Sequence, residues 1–399
     1  MKILLVNKFL FENGGSETYI FRLQDYFESM GHEVQFFGME DERNVAGNKW
    51  NILTKNIIFN KVSLMTLLYP FKIIYSIEAR SKIKRLIGLF NPDVIHLNNI
   101  NFQITPSIIY EIRKYRIPVI FTAHDYQFIC PNHMLYQPKR GVPCEECLTS
   151  GFIRCVKNSC IHGSKWRSIL GFFESLLYHG LKTYSLIDRI ICPSEFLEKK
   201  FLVKAVFQGK TVMMHNFIKK TTNNSEYKKK DYVLYFGRFS KEKGIETLIE
   251  VCKRLPEIPF IFAGGGPLEG LLDNVPNIKN AGFLKGLDLI RTISEARFSV
   301  YPSEWPENCP FSVMESQVYG TPVVGADMGG IPELIKNEKT GLLFQAANPD
   351  DLVDKITTLW YNHSLLDELT ENCLKVEFDT PEIYGEKLLN LYRQTINQG

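Results

Sequence analysis

The chain has 399 residues, 45% of them hydrophobic and 23% charged, enough to bury more than one core and to exclude a disordered polymer. A formal net charge of +3 conceals an uneven split: residues 1–230 carry 32 Lys and Arg against 19 Asp and Glu, whereas residues 231–399 carry 15 against 25. A basic half beside an acidic half points to an anionic partner for one domain, phospholipid headgroups or nucleic acid, while a uniformly basic chain would favour nucleic acid. The apolar run at the start of the chain is too short for a signal peptide, so a mature cytoplasmic N-terminus is expected. No window reaches the roughly 18 uninterrupted apolar residues of a membrane span; the nearest, 57–77, is broken by Asn60, Lys61, Pro70 and Lys72.

In chain order, residues 3–7 read as a short buried strand. A Gly14-Gly15 loop follows, then a helix that Ser16-Glu17 can cap and that runs through Leu23 and Phe27 to Gly31. Further strands are expected at 34–38, 94–97, 118–122 and 189–193, each separated by a helical stretch, which is the rhythm of a doubly wound parallel sheet. A polar segment at 219–230 reads as an exposed linker closing a first domain, 1–218. The rhythm restarts over 231–380 with strands at 232–236, 260–263, 280–283, 298–302 and 322–325 and helices at 247–254, 287–296 and 311–319. A terminal helix over 381–399, with apolar Ile383, Leu388, Leu389 and Leu391, can pack on either domain.

The densest chemistry lies in Trp305-Pro306-Glu307-Asn308-Cys309-Pro310-Phe311-Ser312-Val313-Met314-Glu315, directly after a strand. Glu307 sits on the loop and Glu315 about a turn into the next helix, so both carboxylates can face the crevice at the carboxyl ends of the strands, a pair suited to hydroxyl-rich ligands. Taken singly, Glu307 is a solvated loop acid and Glu315 a first-turn acid favoured by the helix dipole. Arg238 and Lys243, in Gly237-Arg238-x4-Lys243-Gly244, are either surface cations on a turn or a guanidinium and an ammonium placed for a pyrophosphate. Gly264-Gly265-Gly266-Pro267 offers backbone close to a ligand, or is a plain connection. In the first half, Asn13-Gly14-Gly15-Ser16-Glu17 follows one strand and Thr122-Ala123-His124-Asp125 ends another. A lone His in such a place is more often structural.

These elements together resemble the retaining glycosyltransferases of family 4, over most of the second half and at the Gly-Gly loop of the first. The resemblance implies an α/β chain of GT-B fold, two Rossmann-like doubly wound parallel-sheet domains facing a central cleft, with a nucleotide-sugar donor held mainly by the second. It implies that Glu315 holds the ribose hydroxyls, Glu307 the transferred sugar, and backbone N–H groups around Phe311 the diphosphate. Arg238 and Lys243 would neutralise the pyrophosphate and the departing nucleotide without a catalytic metal. Gly265 would lie near the nucleotide, Gly14 and Gly15 near the diphosphate, sugar or acceptor, and His124 beside the donor sugar, with Asp125 fixing its ring or capping the next turn. Many relatives carry Gly where this chain has Pro310, which removes one N–H and stiffens the loop. Front-face displacement with retention is also implied, the leaving phosphate taking the acceptor's proton.

Five of the nine cysteines crowd into 130–160. Cys144, Cys147, Cys155 and Cys160 can hold a structural zinc, with Cys130 as a substitute ligand, or form a set of reduced buried thiols. Between Asn56 and Arg85, apolar positions alternate with Lys61, Lys72, Arg80, Lys82, Lys84 and Arg85, which suits either peripheral contact with an anionic membrane or helices covering a sheet with solvated cations. The expected function is transfer of a sugar from a UDP- or GDP-sugar to a glycan or lipid-linked acceptor in capsule or O-antigen assembly, with no nucleic-acid partner. The rivals are a nucleotide-sugar epimerase of the same architecture and a non-catalytic zinc-bearing scaffold at a membrane.

Overall fold

The computed structural model describes residues 1–56, 69–219 and 227–398. They divide into two compact units, one built from residues 1–139, 144–217 and 381–399 and the other from 140–143 and 218–380. Most of the expected linker, 220–226, and Lys61 of the expected membrane segment lie outside the described residues.

In the first unit the principal strands are β1 (Lys2–Val6), β2 (Glu33–Phe37), β3 (Val94–Leu97) and β4 (Val119–Thr122). The two-residue β5 (Tyr136–Gln137) lies in the cysteine-rich stretch, as does β6 (Val142–Pro143), which falls in the 140–143 piece of the second unit; β7 (Arg189–Cys192) and β8 (Thr211–Met213) follow in the first. The main sheet runs β2-β1-β3-β4-β7-β8, all parallel. β3 and β4 are buried along their whole length and carry apolar residues at most positions, as strands covered on both faces require. The sequence gives no sign of β8, because its residues are partly exposed and too few to form an apolar run.

The helix Gly15–Ser29 starts one residue before the expected cap: Gly14 is its N-cap, and Thr18 donates its backbone N–H to Gly14 O at 3.1 Å. Ser16 lies inside the first turn, and its hydroxyl bonds the Glu17 carboxylate and Asn99 instead. The helix Ile77–Phe90 buries Ala79, Ile83, Leu86, Ile87 and Phe90 against the core. Two of its cations are held in ion pairs, Arg80 with Glu111 at 3.0 Å and Lys82 with Glu78 at 2.9 Å. This helix therefore covers the sheet, and only Lys84 and Arg85 of its cations are exposed.

The terminal helix Pro381–Gln398 belongs to the first unit. A buried chain of polar groups ties it there: Tyr384 OH to Tyr19 OH at 3.0 Å, Tyr19 OH to Thr122 Oγ1 at 3.1 Å, Thr122 to His96 Nε2 at 2.7 Å and His96 Nδ1 to Tyr392 OH at 2.6 Å. Gly385 permits the close approach, since a Cβ there would lie 2.1 Å from the Tyr26 ring.

In the second unit β9 (Lys230–Arg238), β10 (Phe260–Gly265), β11 (Ile278–Gly282), β12 (Ala296–Tyr301), β13 (Val323–Ala326) and β14 (Gly341–Phe344) form a parallel sheet in the order β11-β10-β9-β12-β13-β14. β11 begins two residues earlier than the apolar pattern suggests, because it is an edge strand with exposed Lys279 and Asn280, and Phe283 beyond it is 77% exposed. Central β9 and β12 place their carboxyl ends beside one another, the point at which strand order reverses and α/β sheets bind ligands.

His96 is wholly buried, and burial pushes its imidazole down to about 3. The unfolded chain therefore takes up a proton near pH 6.5 that the folded chain refuses, so its contribution to stability is intact above that pH and falls as pH drops toward 3. The slope is at most about 1.4 kcal/mol per pH unit. Thermal melts of His96→Gln between pH 7.5 and 5 should be less pH-dependent than those of the wild type, by about 2 kcal/mol over the interval.

Candidate active site

At the carboxyl edge of the second sheet, Lys243 and Glu307 form an ion pair. Lys243 ends a single 3-10 turn after β9, and Gly244 then starts the helix Ile245–Arg254 with φ 71°. A Cβ on Gly244 would sit 1.9 Å from Pro302 O, so the glycine lets this turn press against the end of the β12 loop. Glu307, buried on that loop, accepts hydrogen bonds on Oε1 from Lys243, from Trp305 Nε1 at 2.6 Å, Ser303 Oγ at 3.0 Å and Tyr301 OH at 3.2 Å. Among the described residues all four of these bonds fall on Oε1 and none on Oε2. Burial alone would lower the Lys243 ammonium, but the charges of Glu307 and Tyr301 and the hydrogen bond to Glu307 outweigh it and hold the group firmly protonated.

Arg238 is exposed at the last position of β9, in register with Gly265 of β10. Gly264 and Gly266 adopt φ 146° and 154°, and a Cβ on either would strike backbone, of Gly237 at 2.0 Å and of Phe239 at 2.5 Å. The Gly-rich turn is thus required by close packing of the β9 and β10 ends, and it keeps the backbone beside Arg238 free of side chains. Phe311 opens the helix Phe311–Val318, with Pro310 as N-cap, and Glu315 lies one turn in, half-buried. A helix start carries partial positive charge suited to a phosphate.

Sequence reasoning passed over Met328-Gly329-Gly330, after β13. Gly329 has φ 62°, and a Cβ there would lie 2.3 Å from Glu307 O; Gly330 donates its N–H to that same oxygen at 2.7 Å. This turn braces the Glu307 backbone, and the signal for it was a Gly pair at a strand's carboxyl end.

In the first unit, Gly14 and Gly15 are exposed at the start of their helix. Glu17, buried behind them, accepts from Asn7 Nδ2 at 2.8 Å and Ser16 Oγ at 2.9 Å, while Asn7 Oδ1 takes the Asn99 N–H at 3.1 Å. The loop is thereby locked to the ends of β1 and β3, a role for Glu17, Asn7 and Asn99 that the motif did not reveal. His124 Nε2 donates to Asn98 Oδ1 at 2.8 Å, and its ring stands edge-on to Tyr19 at 5.0 Å. Burial pushes its imidazole down to about 3, so it is neutral at neutral pH. Asp125 accepts the Gln127 N–H at 2.8 Å and so caps the next turn. Lys8, also missed, stands 4.5 Å from the Phe9 and Phe102 ring centres, and burial lowers its ammonium to about 8 despite the nearby charges of Glu17 and Asp125.

Cys147, Cys155 and Cys160 are buried together against Phe152 and Ile161, and Cys130 feels the charge of Cys160. The Cys130 thiol donates to Asn132 Oδ1 at 2.8 Å, and burial raises it to about 11. Cys144 is only half-buried. Among the described residues no group of three or more His, Cys, Asp or Glu stands at a spacing that would hold a metal ion.

Family models match both units: one described as Glycosyltransferase Family 4 over residues 13–221 and one described as Glycosyl transferases group 1 over residues 216–376. The sulfoquinovosyl transferase SQD2 of Arabidopsis thaliana is 36% identical over 140 residues, 33% of this chain and 27% of that protein. An uncharacterized 41.2 kDa protein in the cps region of Klebsiella pneumoniae is 27% identical over 238 residues, 53% of this chain and 64% of that one. The chain thus spans less than two thirds of the length of these relatives. Among solved structures, Anabaena HepE in complex with UDP and glucose superposes with a TM-score of 0.67 over 98% of this chain and 100% of that one, at 16% identity, a likeness of fold.

Removing one partner of a buried ion pair strands the other. Lys243→Met should destabilise the second unit by about 3 kcal/mol, and Lys243→Met/Glu307→Gln should recover part of that loss. Chemical denaturation of the two single variants and the double variant checks it: additive losses would mean that the pair does not hold the loop.

Proposed function

The chain belongs to glycosyltransferase family 4, and on that premise we propose that it transfers a sugar, with retention at the anomeric carbon, from a UDP- or GDP-sugar to a glycan or lipid-linked acceptor in surface polysaccharide assembly. Its two parallel-sheet α/β units are of the GT-B type. The observation that carries the reading is the Lys243–Glu307 pair at the carboxyl edge of the second sheet, with Arg238 beside the Gly-rich turn on the neighbouring strand end. UDP and glucose in the HepE complex support the donor class, and the cps-region relative supports the setting in surface polysaccharide assembly.

An ammonium has three N–H donors. Glu307 and Tyr301 take two from Lys243, and the third is available to a phosphate oxygen. Arg238, exposed and planar, adds a bidentate contact to the same diphosphate. Lys243 is fixed before the reaction by Glu307 and Tyr301, and with Arg238 it stabilises the negative charge that grows on the β-phosphate as its bond to the anomeric carbon breaks. The acceptor oxygen forms the new bond on the same face, and its proton passes to the leaving phosphate oxygen. Glu307 Oε2 takes a sugar hydroxyl and Glu315 the ribose hydroxyls. His124, with its Nε2–H given to Asn98 Oδ1 and its imidazole held at about 3 by burial, is not an acid of use at neutral pH.

A donor panel reading released UDP or GDP, with and without acceptor, tests this. One donor should release nucleotide faster with acceptor present, EDTA should leave the rate unchanged, and NMR should find the donor's anomeric configuration in the product. Arg238→Ala should lower kcat/KM by about 100-fold or more, and Glu315→Ala should act mainly by raising KM for the donor. Conversion of the nucleotide-sugar into its epimer without acceptor would overturn the reading.

A further inference from the structure

The helix Lys165–Gly180 of the first unit is turned inside out relative to an ordinary surface helix. Its buried face consists of Ser168, Gly171, Ser175 and Tyr178. Its outer face carries Trp166, 79% exposed, and Phe173 and Leu176, each 50% exposed. At about 100° per residue these three project to one side, opposite the serines and glycine.

Close packing explains the small inner residues. A Cβ on Gly171 would meet Ile161 Cδ1 at 2.4 Å and Pro131 O at 3.2 Å. Ser168 Oγ accepts the Ile161 N–H at 3.0 Å and donates to Ser164 O at 2.8 Å. The helix is thus pressed onto the cysteine-rich insertion through its small polar side. Nothing about that packing requires a tryptophan, a phenylalanine and a leucine on the other.

The charge around the apolar stripe has one sign. Lys165 and Arg167 are exposed on either side of Trp166 in the first turn, and Lys182 is exposed just past the last, next to Leu181, which is 55% exposed. Glu174 is the helix's one acid; it is half-buried, and burial raises its carboxyl to about 8, so at neutral pH it is mostly protonated and does not offset the cations.

We propose that this helix lies flat on an anionic lipid bilayer, with Trp166, Phe173 and Leu176 at the acyl boundary and Lys165, Arg167 and Lys182 at the headgroup phosphates. A protein partner would cover the stripe, but cations at both ends of a 16-residue helix, with a fully presented indole, match a sheet of phosphates better than an apolar groove. The inference deepens the lipid-linked acceptor of the proposed function and rests on that reading only for what the surface serves.

Sedimentation of the full chain with mixed phosphatidylglycerol–phosphatidylcholine vesicles, against phosphatidylcholine alone, tests it. Wild type should partition onto the anionic vesicles, and raising the salt should weaken this. Trp166→Ser/Phe173→Ser should lower the partition by about tenfold or more, and Lys165→Gln/Arg167→Gln should remove most of its salt dependence. Both variants should keep the wild-type thermal melt, since the replaced side chains point outward. Brominated lipid should quench wild-type emission and have much less effect on Trp166→Phe. Wild type remaining in the supernatant, or unchanged binding by the aromatic double variant, would overturn the proposal. So would a wild-type dimer that Trp166→Ser/Phe173→Ser converts to monomer, which would give the stripe to a second copy. Failure of the transferase reading appears elsewhere, as no nucleotide release from any donor while vesicle binding persists.

Discussion

Parallel strands deliver every following loop to the same edge of their sheet, and the chemistry of this chain depends on that constraint. In the second unit the loops after β9, β10, β12 and β13 bring Arg238, Gly265, Glu307 and the Gly329-Gly330 turn to one edge, although they span more than ninety positions in the chain. The Lys243–Glu307 pair then fastens two of these loops to each other. It does so through one carboxylate oxygen, Oε1.

Glycines make the close approaches possible. Gly244 and Gly329 each lie where a Cβ would enter the backbone of the Pro302–Glu307 loop or its base, and both have positive φ. The loop is therefore clamped from two sides by backbone alone. Electrostatics act on a scaffold with little room to reorganise, which is the condition under which fixed cations lower a barrier. The first unit works the other way: His96 within β3 and His124 after β4 are held neutral by burial, so they make hydrogen bonds in place of carrying charge.

Composition counts charges without locating them. The excess of cations in the first 230 residues is real, but in the 56–85 stretch Arg80 and Lys82 are committed to Glu111 and Glu78. The exposed apolar stripe lies instead on the Lys165–Gly180 helix. There the linear pattern reads as an ordinary amphipathic helix, and only the packing of Gly171 against Ile161 decides which side faces inward. The cysteines teach the same point: their crowding is visible in the sequence, whereas the burial of Cys130 near Cys160 and the half-exposure of Cys144 are consequences of folding.

By itself the sequence determined the alternation of strands and helices, the two-domain division, the Glu-x7-Glu element with its partner cations, and through these the family, because apolar periodicity and short motifs are local in the chain. Edge strands β8 and β14, the attachment of the terminal helix through Tyr19, Thr122 and His96, and the bracing of Glu307 by Gly329 and Gly330 were decided by the tertiary structure. Each of these depends on contacts between residues distant in the chain, and such contacts leave no period or spacing for a sequence to display.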